Sequence, residues 1–206
     1  MTETEWLNCD SPAEMIPFLL NEAQVTDRQL RLYACGCCRL AGLTGRGATF
    51  RAAIEAAEAY ADEEGFWFLT DLRDLGTELG RIWSSEVDDA LCSIWSAMAV
   101  TFQTGLNAAR EVHAIAPEEQ AMVLREIVGN PFRRRHRRDE WLSSNHDLVH
   151  RFVRTVYFER DFDHLPILAD ALEDAGCDNA DILDHCRAGG EHVRGCWVVD
   201  LLLGKE

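Results

Sequence analysis

The stretch TDRQLRLYACGCCRLAG, Thr26 to Gly42, contains the signals that decide the fold. Thr26 followed by Gln29 has the form of a capping box. The threonine hydroxyl accepts from the Gln29 amide, and the Gln29 side chain reaches back to the Thr26 amide. Leu30, Tyr33, Ala34, Cys37 and Ala41 then recur at helical spacing along one face, and Gly42 offers a stop. A helix with one apolar stripe gains most of its stability by packing that stripe on other helices, so the stretch predicts a bundle.

Similar punctuation recurs in both directions, and strand signals are scarce. Ser11-Pro12-Ala13-Glu14 combines a capping-box pattern with proline at the first helical position and predicts a helix to about Ala23. TFRAAIEAAEAYADEEG, rich in alanine and glutamate, predicts a third helix closed by Gly65. From Thr70 to Ala116 the pattern stays helical, with Trp83, Val87, Leu91, Ile94, Trp95 and Met98 on one stripe, interrupted by Gly76, Gly80 and Gly105. Pro117-Glu118-Glu119 opens a further helix with acids in its first turn, and Gly129-Asn130-Pro131 ends it.

PFRRRHRRDEWLSSN then lacks apolar periodicity and carries five arginines between positions 133 and 138. It predicts a linker or functional loop over 131–143. Four short helices are expected beyond it, at 147–160, 164–175, 180–187 and 191–203, with Asp178 capping the third and Gly204 ending the fourth. No fixed repeat period is present. The expected fold is all-α: a multi-helix bundle over 1–130, the arginine-rich linker, and a compact C-terminal helical subdomain over 144–206.

Composition agrees with a folded chain. Of 206 residues 47% are hydrophobic and 27% charged, with only five prolines. That balance supplies enough apolar surface for a core and argues against disorder. The first residues, MTETEWLNCDSPAEM, place acids where a secretory leader carries positive charge, and no apolar run reaches the length of a membrane span. The expected compartment is therefore the cytoplasm, where the eight cysteines stand as thiols. A net charge of -16 repels phosphate backbones and anionic membranes, so nucleic acid is disfavoured, no membrane is expected, and a protein partner is the favoured class.

Three groups of residues are candidates for chemistry. CDNADILDHCRAGGEHVRGCW, 177–197, concentrates three cysteines and two histidines. With His192 and Cys196 four apart on one helix, Cys177 at a turn and His185 ending the preceding helix, these four could form a tetrahedral zinc set. The spacing matches no common zinc-finger pattern. The alternative is a helical core in which the cysteines pack with Leu183, Trp197 and Leu201 while the histidines cap or pair with Asp184 and Glu191.

Cys35-Gly36-Cys37-Cys38 contains a CxxC, but within a helix, which argues against a redox dithiol. The helical wheel sends Cys37 inward and sets Cys35 among Arg28, Arg31 and Arg39, making Cys35 the candidate reactive thiol. Alternatively, those arginines pair with acids of a neighbouring helix. Arg133, Arg134, Arg135, Arg137 and Arg138, flanked by Phe132 and Trp141, suit either a single-stranded nucleic acid or carboxylates on this molecule or a partner, and the charge favours carboxylates. The adjacent acids Glu63-Glu64 and Asp88-Asp89 diverge by about 100° on a helix and form no dyad. Trp83, Trp95 and Trp197 read as core.

LPILADALEDAGCDNADILDHCRAGGEHVRGCWVVDLLLGKE closely resembles the C-terminal segment of a paralogous family from planctomycete bacteria of the Gemmata type. EWLNCDSPAEMIPFLL, DRQLRLYACGCCR and the GNPFR element at 129–133 are similar to other parts of it. The resemblance implies an intact bacterial protein and brings no catalytic residues. Members of the family usually continue GNPFR with a proline, where this chain has Arg134. The expected function is a non-enzymatic interaction or regulatory module. The second reading is a zinc-containing domain that binds nucleic acid through Arg133–Arg138, and the third a thiol-dependent enzyme using Cys35.

Overall fold

A computed structural model describes residues 1–22, 24–45, 47–62 and 115–205. The expected helices across 70–114, the closing Gly65, the stripe from Trp83 to Met98, and the Glu63-Glu64 and Asp88-Asp89 pairs lie outside these residues. The described residues form helices and no strand, so the all-α expectation holds. They divide into two compact units, Met1–Pro131 and Phe132–Glu206.

The first unit contains α1 (Glu3–Asn8), α2 (Pro12–Asn21), α3 (Asp27–Leu40), α4 (Ala48–Ala61) and α5 (Pro117–Val128). The Thr26 capping box forms as expected, with Gln29 N donating to Thr26 Oγ1 at 3.2 Å and Thr26 N to Gln29 Oε1 at 2.9 Å. Packing against α4 and α5 leaves α3 enclosed, and every residue from Leu30 to Cys38 is buried. The single-stripe expectation was therefore too narrow. Ser11 caps α2 only by position: its side chain makes no cap hydrogen bond, and Pro12 supplies the helical start.

Helix α1 was not foreseen, although Thr2 and Glu5 carry the capping-box spacing. Glu5 N donates to Thr2 Oγ1 at 3.3 Å and Thr2 N to Glu5 Oε2 at 2.7 Å. This short helix is secured by tertiary contacts. Trp6 is fully buried and its indole donates to Gly129 O at 3.1 Å. Arg125 reaches the Trp6 and Cys9 carbonyls at 3.3 and 2.7 Å, where the helix end leaves them without partners in its own ladder.

The second unit contains α6 (Asp139–Glu159), α7 (Leu165–Asp174), α8 (Ala180–Arg187) and α9 (Trp197–Leu203). Val149, Val153 and Val156 line α6 at helical spacing and pack in one core with Leu168 and Leu172 of α7 and Leu202 of α9. Three expectations need correction here. Helix α6 begins eight residues before the expected Asp147, because Asp139 and Glu140 suit the first turn and Trp141, only 3% exposed, joins the core. Residues 132–143 accordingly belong to the second unit and are no separate linker. The cap of α8 is Asn179, whose side chain accepts from the Asp181 and Ile182 amides at 3.0 and 3.4 Å, rather than Asp178.

The last helix differs most. It starts at Trp197, and residues 191–196 form a turn closed by Cys196 N donating to Val193 O at 3.0 Å. Gly195, at φ +97°, takes a left-handed conformation that a continuous right-handed helix excludes. Gly204 ends α9 as expected, at φ +69°.

Candidate metal centre

The turn between α8 and α9 gathers the histidines and one cysteine. Donor atoms of His185, His192 and Cys196 all lie within 4.8 Å of one another. His185 Nε2 stands 3.2 Å from Cys196 Sγ, and the two imidazole rings meet edge to face with centroids 5.2 Å apart. Tetrahedral zinc, with N and S at roughly 2.0 and 2.3 Å, needs its N and S donors about 3.6 Å apart. A small side-chain rotation closes that difference.

Three of the four residues expected as ligands are thus brought together, but by a different route. His192 and Cys196 do not share a helix face, since the helix begins after both; the turn places them. Cys177 lies outside this group. It is buried just beyond α7, where its amide donates to Leu172 O at 2.9 Å, and burial raises its thiol pKa. The helical-core alternative places all three cysteines correctly, since Cys177, Cys186 and Cys196 lie in the core cluster; Cys196 alone of them also stands in the donor group.

Sequence reasoning missed one partner of the site. The Trp197 indole N–H donates to His185 Nδ1 at 3.1 Å. Trp197 was expected only as core, and it is core, 8% exposed; the bond spans twelve positions and both ends of an irregular turn, which no local periodicity encodes.

The arginines are largely engaged within the second unit. Arg133 pairs with Asp181, Arg135 lies over the Trp197 ring at 5.4 Å, and Arg138 lies over Trp141 at 5.7 Å. Arg137 donates to Leu202 O at 3.4 Å and pairs with Asp139 at 3.2 Å. Arg134 is exposed. The sequence alternative of carboxylates on this same molecule accounts for Arg133 and Arg137, while stacking on buried indoles accounts for Arg135 and Arg138.

Cys35 is 1% exposed, not on an open arginine-lined face. Two of the neighbouring arginines pair with acids at α4: Arg28 with Asp62 at 2.9 Å and Arg39 with Glu58 at 2.7 Å. Arg31 pairs with Asp27 at 2.7 Å and covers Tyr60 at 5.0 Å. The helical wheel misassigned Cys35 because it assumed one buried face on a helix covered all round.

Burial also keeps the neighbouring thiols protonated. It pushes Cys38 up from 9.0 to about 12, helped by the Glu58 charge, and raises Cys37 well above the usual range. Below pH 9 Cys38 is protonated whether folded or unfolded. From pH 9 toward 12 only the unfolded thiol ionises, so the folded state is expected to lose roughly 1.4 kcal/mol per pH unit through this group. Denaturant titrations at pH 8 to 11 should show that slope reduced in Cys38→Ala. Equal slopes in both proteins would assign the alkaline loss to other groups.

Comparison with protein-family models, curated proteins and solved structures finds no match for this chain. Among the described residues no helix is long and apolar enough to cross a membrane.

Proposed function

We propose that this chain is a helical regulatory or interaction module whose second unit binds a divalent transition metal, zinc by its donors, through His185, His192 and Cys196. The observation that carries the reading is the convergence of two imidazoles and a thiol within 4.8 Å. Imidazole and thiolate select zinc and its neighbours over magnesium or calcium, which take oxygen. The nucleic-acid reading loses support, since the arginines that would contact phosphate are mostly engaged within the unit and the chain carries -16. The thiol-enzyme reading loses its exposed nucleophile with Cys35 buried.

Elemental analysis of protein purified without a histidine tag and reconstituted with zinc tests the proposal. About one zinc per chain is expected, lost in His192→Ala and in Cys196→Ser. At free zinc a hundred times the dissociation constant, the bound ion should stabilise the second unit by about 2.7 kcal/mol. Wild-type protein that retains no zinc after reconstitution would overturn it.

A further inference from the structure

We infer that Trp197 is a latch on this metal centre, holding His185 in the tautomer that cannot coordinate, so that metal enters only when the indole gives up its hydrogen bond. The inference rests on the metal reading above. An indole N–H donates and cannot accept, so the 3.1 Å bond to His185 requires a lone pair on Nδ1. A neutral imidazole with that lone pair carries its proton on Nε2, the nitrogen facing Cys196 Sγ at 3.2 Å. The atom turned toward the metal position is therefore a donor.

Zinc needs the Nε2 lone pair. On binding, Nε2 gives its proton to water, Nδ1 takes one from water, and the Cys196 thiol releases one, so a single proton leaves per ion bound. The new Nδ1–H then faces the Trp197 N–H, donor against donor. Metal-bound histidines ordinarily present their second N–H to an acceptor, and here the neighbour is the opposite. Depriving the Trp197 indole N–H, in a side chain 8% exposed, of its acceptor costs enough to weaken zinc affinity by roughly five- to a hundredfold.

The indole is held in place to impose that penalty. Trp197 is the first residue of α9, sits in the core, and carries the Arg135 guanidinium 5.4 Å from its ring. A centre weakened in this way fills only when free metal is abundant and empties when it falls. It suits reversible sensing better than a permanent structural ion, and occupancy is read out by displacement of Trp197 at the start of the last helix.

The test measures the zinc dissociation constant by competition with a chromophoric chelator for wild type, Trp197→Phe, and Trp197→Phe combined with His192→Ala. Phenylalanine keeps an aromatic ring and removes the N–H, so about tenfold tighter binding is expected, abolished by the second substitution. Nitrogen-15 spectra of His185 in the wild-type protein give an independent reading. The Nε2–H tautomer is expected without metal and the Nδ1–H tautomer with zinc. Equal or weaker zinc binding by folded Trp197→Phe overturns the latch and leaves the metal centre standing. An Nδ1–H tautomer in metal-free wild type overturns the latch even if Trp197→Phe does not fold. Zinc binding in neither protein overturns the metal reading and the latch with it.

Discussion

Replacing Trp141 with alanine is expected to destabilise the second unit by about 3–5 kcal/mol, the range for removing a buried tryptophan without collapse of the space it leaves. The side chain is 3% exposed, belongs to the same core as Val153, Leu172 and Leu202, and is covered on one face by Arg138. Nothing in the local sequence announces this, because the tryptophan sits in a run of charges. Native-state hydrogen exchange at the amides of Val153 and Leu172 measures the loss directly. Arg134→Ala, an exposed change in the same segment, should stay within about 0.5 kcal/mol. If Trp141→Ala costs under about 1 kcal/mol, the segment before Asp147 is a surface loop after all.

Arg39→Ala is expected to cost the first unit about 3 kcal/mol. Its guanidinium meets Glu58 through two parallel bonds, Nε to Oε1 at 2.7 Å and Nη2 to Oε2 at 2.8 Å, and Glu58 is 1% exposed. Removing the cation strips a buried carboxylate of its bidentate partner, whereas replacing both residues with apolar ones of similar size removes the desolvation cost together with the attraction. Arg39→Met with Glu58→Leu should therefore recover most of the stability lost in Arg39→Ala. A double variant as unstable as the single one would show that Glu58 is needed for contacts beyond this pair.

Much of the fold was legible because helix ends are written locally. Thr26 and Gln29, Pro117 with its following acids, and Gly204 all act where their chemistry places them. Errors arose where tertiary packing overrides local pattern. Trp141 draws a charged segment into a helix. Gly195 breaks a run that reads as helix from Glu191 and turns His192 and Cys196 toward His185 by another path. The candidate ligands were visible as residue types clustered in sequence. Their geometry was not, since it depends on a turn whose conformation is set by one glycine and on an indole bond across it. Cys177 looked equivalent to Cys196 in the sequence, and both are buried in one core; only Cys196 stands beside the two histidines.

The most direct measurement of the central claim is X-ray absorption at the zinc edge on the zinc-reconstituted protein. Coordination by His185, His192 and Cys196 requires one sulfur near 2.3 Å and two imidazole nitrogens near roughly 2.0–2.1 Å, with a light atom completing the shell. That spectrum is expected, together with loss of the sulfur shell in Cys196→Ser. A shell of oxygen and nitrogen alone in the wild-type protein, or one containing two or more sulfurs, would contradict the centre described for the α8–α9 turn.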